Sequence, residues 1–72
     1  MDKLQKALGE RICIARKRLG MTQKQLADLS GFPAHQIIHQ IEKGTRDVKA
    51  WELAVLSKAL RVDISELLAD SE

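Results

Sequence analysis

Glycines at positions 20, 31 and 44 interrupt a chain whose apolar residues otherwise recur at helical spacing. A glycine is favoured just after a helix because it adopts the left-handed backbone conformation without steric cost. With only four glycines and one proline, the chain lacks the punctuation that many short strands need. The sequence therefore predicts an all-α fold made of short helices.

The first helix is predicted from a single apolar stripe. Its apolar residues follow one another at steps of four, four, three and four positions, which places them on one face of a helix. Gly20 comes directly after the last of them, so we predict a helix over residues 2–19. The residues of the stripe are Leu4, Leu8, Ile12, Ala15 and Leu19.

Two signals mark the start of the second helix. Thr22 and Gln25 have the spacing of a capping box, in which each side chain accepts a hydrogen bond from the other residue's backbone N–H. Met21 and Leu26 occupy the positions of a hydrophobic staple around that cap. These signals predict a helix over residues 23–30, which ends before the second of the three glycines.

Three further helices complete the predicted fold. Pro33 suits the first position of a helix, because the N–H that it lacks would be unpaired there, and Phe32 would then be the N-cap. Asp63, with Glu66 three residues later, forms a second capping-box pattern. The predicted helices span residues 33–43, 49–60 and 64–70.

Length and composition exclude several classes of protein. A chain of 72 residues forms one domain, residues 1–72, and leaves little room for an enclosed active site. The lone Cys13 cannot form an internal disulfide and is interpreted as a small core residue. No apolar run approaches the roughly 20 residues of a membrane span, and the N-terminus has no signal core. We therefore predict a cytoplasmic protein that is not an enzyme and that uses no cofactor or metal.

A more specific pattern runs through the second and third helices. A Thr-Gln pair opens the second helix, a Leu-Ala pair lies in its middle, a glycine marks the turn, and Ile-x-x-Ile-Glu-x-Gly closes the third helix. These residues are Thr22, Gln23, Leu26, Ala27, Gly31, Ile38, Ile41, Glu42 and Gly44. The pattern resembles the helix-turn-helix of the Cro and phage-repressor family, also called the xenobiotic-response-element type. The resemblance implies a five-helix, phage-repressor-like DNA-binding domain in which helices 2 and 3 form the helix-turn-helix.

Two registers are open for the third helix. Counting forward from Gly31 with the family's usual spacing places Ile37 and Gln40 inward, whereas counting back from the end of the helix places Ile38 and Ile41 inward. A glutamine buried without partners costs roughly 1–3 kcal/mol, so we predict the second register. The turn must then absorb one extra residue, and Ile37 is left half-outward.

The side chains that face away from the core in this register are polar. Glutamine can donate and accept together, which suits the N7 and N6 edge of adenine in the major groove. The resemblance implies that Gln36 and Gln40 read bases and that Gln23, at the start of helix 2, grips a phosphate. The predicted base-reading residues are His35, Gln36, His39 and Gln40, and the predicted phosphate contacts are Gln23, Lys24, Lys43 and Arg46.

Glu42 has two interpretations. With His35 and His39 it could share one helix face as a set of metal ligands, but no H-E-x-x-H motif is present. The resemblance instead implies an ion pair between Glu42 and Arg16 that locks helix 3 onto helix 1, and we predict this structural pair.

Trp51 and Val55 lie beside the leucine stripe of the fourth helix rather than on it. Burial in the core is one interpretation of Trp51, and an interface is the other. Because relatives that the sequence resembles often dimerise through helices 4 and 5, these two residues are candidate dimer contacts.

Charge is distributed unevenly along the chain. Residues 1–46 contain nine Lys or Arg against four Asp or Glu, a net +5, whereas residues 47–72 contain three against six, a net −3. The basic half contains the predicted helix-turn-helix, which favours an approach to phosphate from that side.

The predicted function is sequence-specific binding of double-stranded DNA as a transcriptional repressor or regulator. Helix 3 would enter the major groove, and a homodimer would bind a palindromic operator. The alternative is a helical protein-interaction module, such as an antitoxin or adaptor component without base readout. The extra turn residue and the outward Ile37 motivate that alternative. Either protein could act with a separate effector or partner domain.

Overall fold

The computed structural model describes residues 3–68, and within that range every regular element is a helix. The predicted first residue of helix 1, Asp2, and the predicted last residue of helix 5, Asp70, lie outside the described residues. The all-α fold with a helix-turn-helix is confirmed. The helices are α1 (Lys3–Arg18), α2 (Gln23–Ser30), α3 (His35–Lys43), α4 (Ala50–Leu60) and α5 (Ile64–Leu68).

Local signals define both ends of α2. Thr22 and Gln25 form the predicted capping box, with Thr22 N–H donating to Gln25 Oε1 at 2.8 Å and Gln25 N–H donating to Thr22 Oγ1 at 3.0 Å. At the other end Gly31 adopts φ 81°, and the N–H of Phe32 bonds to the carbonyl of Ala27 at 2.9 Å. This pairing satisfies carbonyls that the helix itself leaves free.

The start of α3 differs from the prediction. The helix begins at His35, after an extended Ala34 with φ −151°, so Phe32 is not its N-cap and Pro33 is not its first residue. Phe32 is instead buried in the core, close to Trp51, with ring centroids 6.3 Å apart. The connection between the buried ring and α3 is extended at Ala34, and we infer that it accommodates the extra residue of the turn.

The core lies where α3 crosses α1 and α2. Helix α4 packs against α1 and α2, and α5 packs against α1 and α4, so these two helices cover the rest of the core. Ile38 and Ile41 are buried, so the second register of α3 is confirmed, and Ile37 is half-buried against the same core. The predicted stripe of α1 is buried only in its middle, since Ile12 and Ala15 are buried whereas Leu4 and Leu19 are exposed. The buried apolar residues are Ile12, Ala15, Leu26, Ala27, Phe32, Ile38, Ile41, Leu56, Leu60 and Leu67.

Gly9 allows α1 and α3 to approach each other closely. A Cβ atom at this buried position would overlap the backbone oxygens of Ile41 and Glu42. Near the same crossing, Gln5 Nε2 donates to the carbonyl of Gly44 at 3.1 Å. The lack of a side chain at residue 9 is therefore a condition for docking α3 onto α1.

We predict that Gly9→Ala destabilises the domain. In an exposed helix the same change would stabilise by about 0.5–1 kcal/mol, whereas overpacking against backbone costs roughly 1–3 kcal/mol. The sign of the change in the free energy of unfolding, measured by urea denaturation, therefore separates the two effects. Gly20→Ala, at a position with φ 71° and open space around the Cβ, measures the cost of left-handed backbone strain alone, which the helical Gly9 does not have. A stabilised Gly9→Ala variant would show that the helices do not need this close approach.

Candidate nucleic-acid interface

The face of α3 that points away from the core is polar and exposed. All four predicted base-reading residues lie on it, and Lys43 follows in the last turn. Because Ile38 and Ile41 anchor the opposite face, the polar face is presented on a rigid element rather than on a loop. The exposed residues are His35, Gln36, His39, Gln40 and Lys43.

An ion pair attaches α3 to α1. Arg16 Nε donates to Glu42 Oε2 at 2.6 Å and Arg16 Nη2 donates to Glu42 Oε1 at 3.1 Å, a two-pronged geometry. Both side chains are nearly buried, at 10% and 7% exposed. The remaining donor, Arg16 Nη1, bonds to the carbonyl of Met21 at 2.7 Å. One guanidinium thus joins α1, the residue before the cap of α2, and α3.

Cys13 is a half-buried neighbour of this ion pair rather than a purely apolar core residue. Arg16 Nη2 lies 3.7 Å from Cys13 Sγ.

Gln23 connects the ion pair to the exposed face of α3. Its Nε2 donates to Glu42 Oε1 at 3.1 Å and lies 3.5 Å from His39 Nδ1. The predicted phosphate contact is therefore held at the start of α2 by a side chain of α3. The two helices are joined by polar contacts next to the surface that would face DNA.

Comparison with known proteins identifies this arrangement. The sequence profile of the helix-turn-helix family, of the Cro and C1 type, matches residues 12–67. The chain belongs to the helix-turn-helix family. DNA binding in the regulation of transcription is the function of this family, and it is the function of this chain.

Solved structures of helix-turn-helix proteins have the same fold. The restriction-modification controller protein C.AhdI from Aeromonas hydrophila is 30% identical, with 88% of this chain and 94% of that chain covered and a TM-score of 0.83. The clp gene regulator ClgR from C. glutamicum is 26% identical, with 94% and 87% covered and a TM-score of 0.86. The DNA-binding domain of BldD is 25% identical, with 94% and 97% covered and a TM-score of 0.82. No curated protein matches the chain.

Arg46 takes part in a second ion pair of the helix-turn-helix domain, one that sequence reasoning missed. Its Nη1 and Nη2 atoms donate to Glu52 Oε1 and Oε2 at 3.1 and 3.0 Å, and Glu52 is only 4% exposed. Glu52 also accepts from the N–H of Lys49 at 3.0 Å, which caps α4. A glutamate at the third position of a helix was the available signal. The phosphate contact proposed for Arg46 therefore remains a prediction for a guanidinium that already has a buried partner.

The other positions singled out from sequence lie at the surface. Lys24 pairs with Asp28 at 3.2 Å in an exposed contact on α2. Trp51 is 59% exposed, so it is not a core residue, and Val55 is half-buried one turn later.

Within residues 3–68 no three His, Cys, Asp or Glu side chains come together as metal ligands. In the same range no helix is long and apolar enough to cross a membrane.

The pKa values of both buried glutamates are lowered. Burial acts to raise the pKa of Glu42, but the hydrogen bonds from Arg16 and Gln23 and the positive charge of Arg16 together outweigh it and hold the pKa below its usual range. The hydrogen bonds from Arg46 lower the pKa of Glu52 against the opposing effect of burial. Both carboxylates are therefore charged in the folded domain at neutral pH.

We predict that breaking the Arg16–Glu42 pair from one side is severe. Arg16→Met leaves a buried carboxylate without its partner, which should lower the free energy of unfolding by about 3–5 kcal/mol. Arg16→Met combined with Glu42→Leu removes both charges and should recover most of that loss. Lys24→Met, which breaks an exposed pair, is the control and should cost less than about 1 kcal/mol. Equal losses in Arg16→Met and Lys24→Met would contradict the structural role.

Stability should also fall at acidic pH. A carboxylate with a lowered folded pKa stabilises the fold above its unfolded pKa of about 4.3, and this contribution is lost as pH falls through the folded value. Urea denaturation between neutral pH and pH values below about 4 should therefore show a decline that is smaller in Glu42→Gln. Glu10→Gln, at an exposed position of α1, should follow the wild-type profile. A Glu42→Gln profile parallel to the wild type would contradict the assignment.

Proposed function

We propose that this helix-turn-helix domain binds a palindromic operator as a homodimer, with α3 of each copy in the major groove. The observation that carries the proposal is the exposed polar face of α3, which is held in place by two buried isoleucines and one buried ion pair. The major groove is about 12 Å wide and admits a helix whose outward side chains reach the base edges. Gln36 and Gln40 are proposed to bond to bases, with His35 and His39 beside them.

Phosphate contacts are proposed on both sides of the exposed polar face of α3. The first backbone N–H groups of α2 and its positive dipole end attract an anion, and Gln23 and Lys24 lie there. Lys43 at the end of α3 is exposed and has no ion-pair partner within the described residues. Lys43 is therefore a better candidate for a phosphate contact than Arg46, whose guanidinium is bonded to Glu52.

The charge distribution supports the same orientation. The net +5 of residues 1–46 belongs to the half that contains α1, α2 and α3, and the net −3 of residues 47–72 belongs to the other half. A surface that is positive on one side favours approach to DNA with α3 leading. The related structures support regulation as the role, since their names describe a controller protein and a gene regulator.

The homodimer is proposed to form through the exposed side of α4. Trp51 and Val55 are one turn apart there, and Trp51 keeps most of its large ring in solvent. Large exposed aromatic residues are enriched at protein interfaces. The two recognition helices of a dimer would lie about 34 Å apart, one turn of DNA.

The alternative interaction module has less support than the sequence suggested. Ile37 is half-buried and packs partly against the core, and the connection with the extra residue leads to the buried Phe32 through an extended Ala34. A separate effector or partner domain, and a cytoplasmic location, are compatible with the proposed regulator and remain predictions.

Base readout is tested by selecting bound fragments from random DNA and measuring affinities by fluorescence anisotropy. Gln36→Ala should weaken binding to the selected site by about 1–3 kcal/mol and relax the preference at one base pair. Lys43→Ala should weaken all sequences alike and reduce the salt slope by about 1. Lys49→Ala, in the acidic half, is the control and should change neither quantity. An equal loss on all sequences for Gln36→Ala would rule out base reading, and no binding at low salt would favour the interaction module.

The dimer is tested by sedimentation equilibrium. Trp51→Glu should raise the dimer dissociation constant by about tenfold or more, because it places a charge in an apolar contact. Ile14→Glu removes an equally exposed apolar residue from α1, on another element, and should leave the constant unchanged. If the two variants behave alike, the contact through α4 is wrong.

A further inference from the structure

The side-chain amide of Gln23 lies between a buried carboxylate and an exposed imidazole. Its Nε2 atom is 3.1 Å from Glu42 Oε1 and 3.5 Å from Nδ1 of the His39 ring. Gln23 is half-buried at the start of α2, whereas His39 is exposed on α3. One amide group therefore connects the buried ion pair to the surface that would face DNA.

The carboxylate determines which way the amide points. An ionised carboxylate only accepts hydrogen bonds, and the NH₂ end of a glutamine amide only donates them. Glu42 is ionised, because both of its oxygens accept from the guanidinium of Arg16. If the amide were reversed, the oxygen of Gln23 would lie against a carboxylate oxygen, and two acceptors repel each other. The NH₂ end of Gln23 is therefore held toward Glu42.

The same NH₂ group determines the role of the His39 ring. A neutral imidazole has one nitrogen that donates and one that accepts, and the hydrogen bond made by one nitrogen decides which of them holds the proton. Nδ1 faces a group that only donates, so Nδ1 accepts and the proton resides on Nε2. Because this hydrogen bond is long, it favours that tautomer without excluding the other.

This arrangement leaves the Gln23 side chain without a donor for phosphate. An amide NH₂ group has two N–H bonds, and here one is directed at Glu42 and the other at His39. The remaining polar atom, Oε1, only accepts, as a phosphate oxygen does. A phosphate at the start of α2 would thus be bound by backbone N–H groups rather than by the amide of Gln23.

We propose that Gln23 is a positioning residue for His39, which it holds with the proton on Nε2, so that α3 presents an N–H donor to DNA. The proposal rests on the proposed entry of α3 into the major groove. An N–H donor there suits the O6 and N7 atoms of guanine, N7 of adenine or O4 of thymine, and it is repelled by the amino group of cytosine. A phosphate oxygen is the other acceptor that DNA offers, and the second measurement below distinguishes it from a base.

The first measurement follows the ring nitrogens of isotopically labelled protein by NMR, without DNA. It is made above the end of each ring's own titration curve, where only neutral imidazoles are observed and the chemical shift of each nitrogen reports whether it holds the proton. His39 should have its proton on Nε2 more often than His35, whose ring has no hydrogen-bond partner within the described residues. In Gln23→Leu the tautomer ratio of His39 should move by about threefold toward that of His35.

Gln25→Leu is the matched control. It makes the same chemical change two residues further along α2, where the side chain accepts from the N–H of Thr22 instead of bonding to α3. This variant weakens the cap of α2 and should leave the tautomer ratio of His39 unchanged. Unshifted methyl signals of Ile38 and Ile41 verify that α3 stays docked, and the comparison of the two histidines in the unaltered protein needs no variant.

The second measurement is a double-mutant cycle on the DNA site selected from random fragments. Gln23→Leu and His39→Ala should each weaken binding, and the double variant should bind no more weakly than His39→Ala alone, because Gln23 acts through His39. A Gln23 side chain that bound phosphate by itself would add its own loss. A His39→Ala loss that depends on one base pair identifies a base acceptor, and a loss shared by all sequences identifies a phosphate oxygen.

Three results would overturn the proposal. The first is an equal tautomer ratio for His39 and His35 in the unaltered protein. The second is a His39 ratio that is the same in Gln23→Leu and Gln25→Leu. The third is additive losses in the double-mutant cycle. Only the cycle contains DNA, so a failure of operator binding would be seen there as no binding by the unaltered protein, and the tautomer result would still decide the role of Gln23.

Discussion

The contact on which the rest of the structure depends is the bidentate pair between Arg16 and Glu42. It lies where α1, the residue before the cap of α2, and α3 meet, and each nitrogen of the guanidinium donates to Glu42 or to the carbonyl of Met21. An ion pair with little solvent access tolerates few geometries, because displacing either partner leaves a buried charge unpaired. The position of α3 relative to α1 is therefore tightly restricted. Gly9 adds a steric condition, because only a residue without a side chain lets the backbones of α1 and α3 come this close.

The fixed position of α3 gives this small domain two different sides. One side of α3 supplies the apolar core, and the other presents five exposed polar residues. Gln23 links these sides, since it bonds to the buried Glu42 and touches the exposed His39. Rigid presentation matters for base reading, because hydrogen bonds to base edges discriminate only when donors and acceptors are held in place. A short domain thus presents this polar face on a single exposed helix surface, which suits a protein that binds a large, regular polymer.

Where the structure departs from what the sequence suggested, the reasons share a physical origin. Arg46 was assigned to phosphate by its position after α3, and this stays a prediction, but its buried partner Glu52 was missed because the pair forms only when the loop folds back onto α4. Pro33 was placed at the first turn of α3 because it suits that position, yet burial of Phe32 displaced the start of the helix to His35. In both cases a tertiary contact overrode a sound local preference. Leu4 and Leu19 show the same effect, since spacing identifies a stripe but not how far neighbouring helices cover it.

By itself the sequence determined the helical class, the capping of α2 and the register of α3. These features depend on contacts between residues a few positions apart, or on the cost of burying a glutamine in place of an isoleucine. The Arg16–Glu42 pair was also predictable, but only through resemblance to a family. Tertiary structure alone decided that Trp51 is exposed, that Glu52 is a buried charge, and that the Gln23 amide lies between Glu42 and His39. Those facts depend on how separate helices pack, and no periodicity within a single helix contains that information.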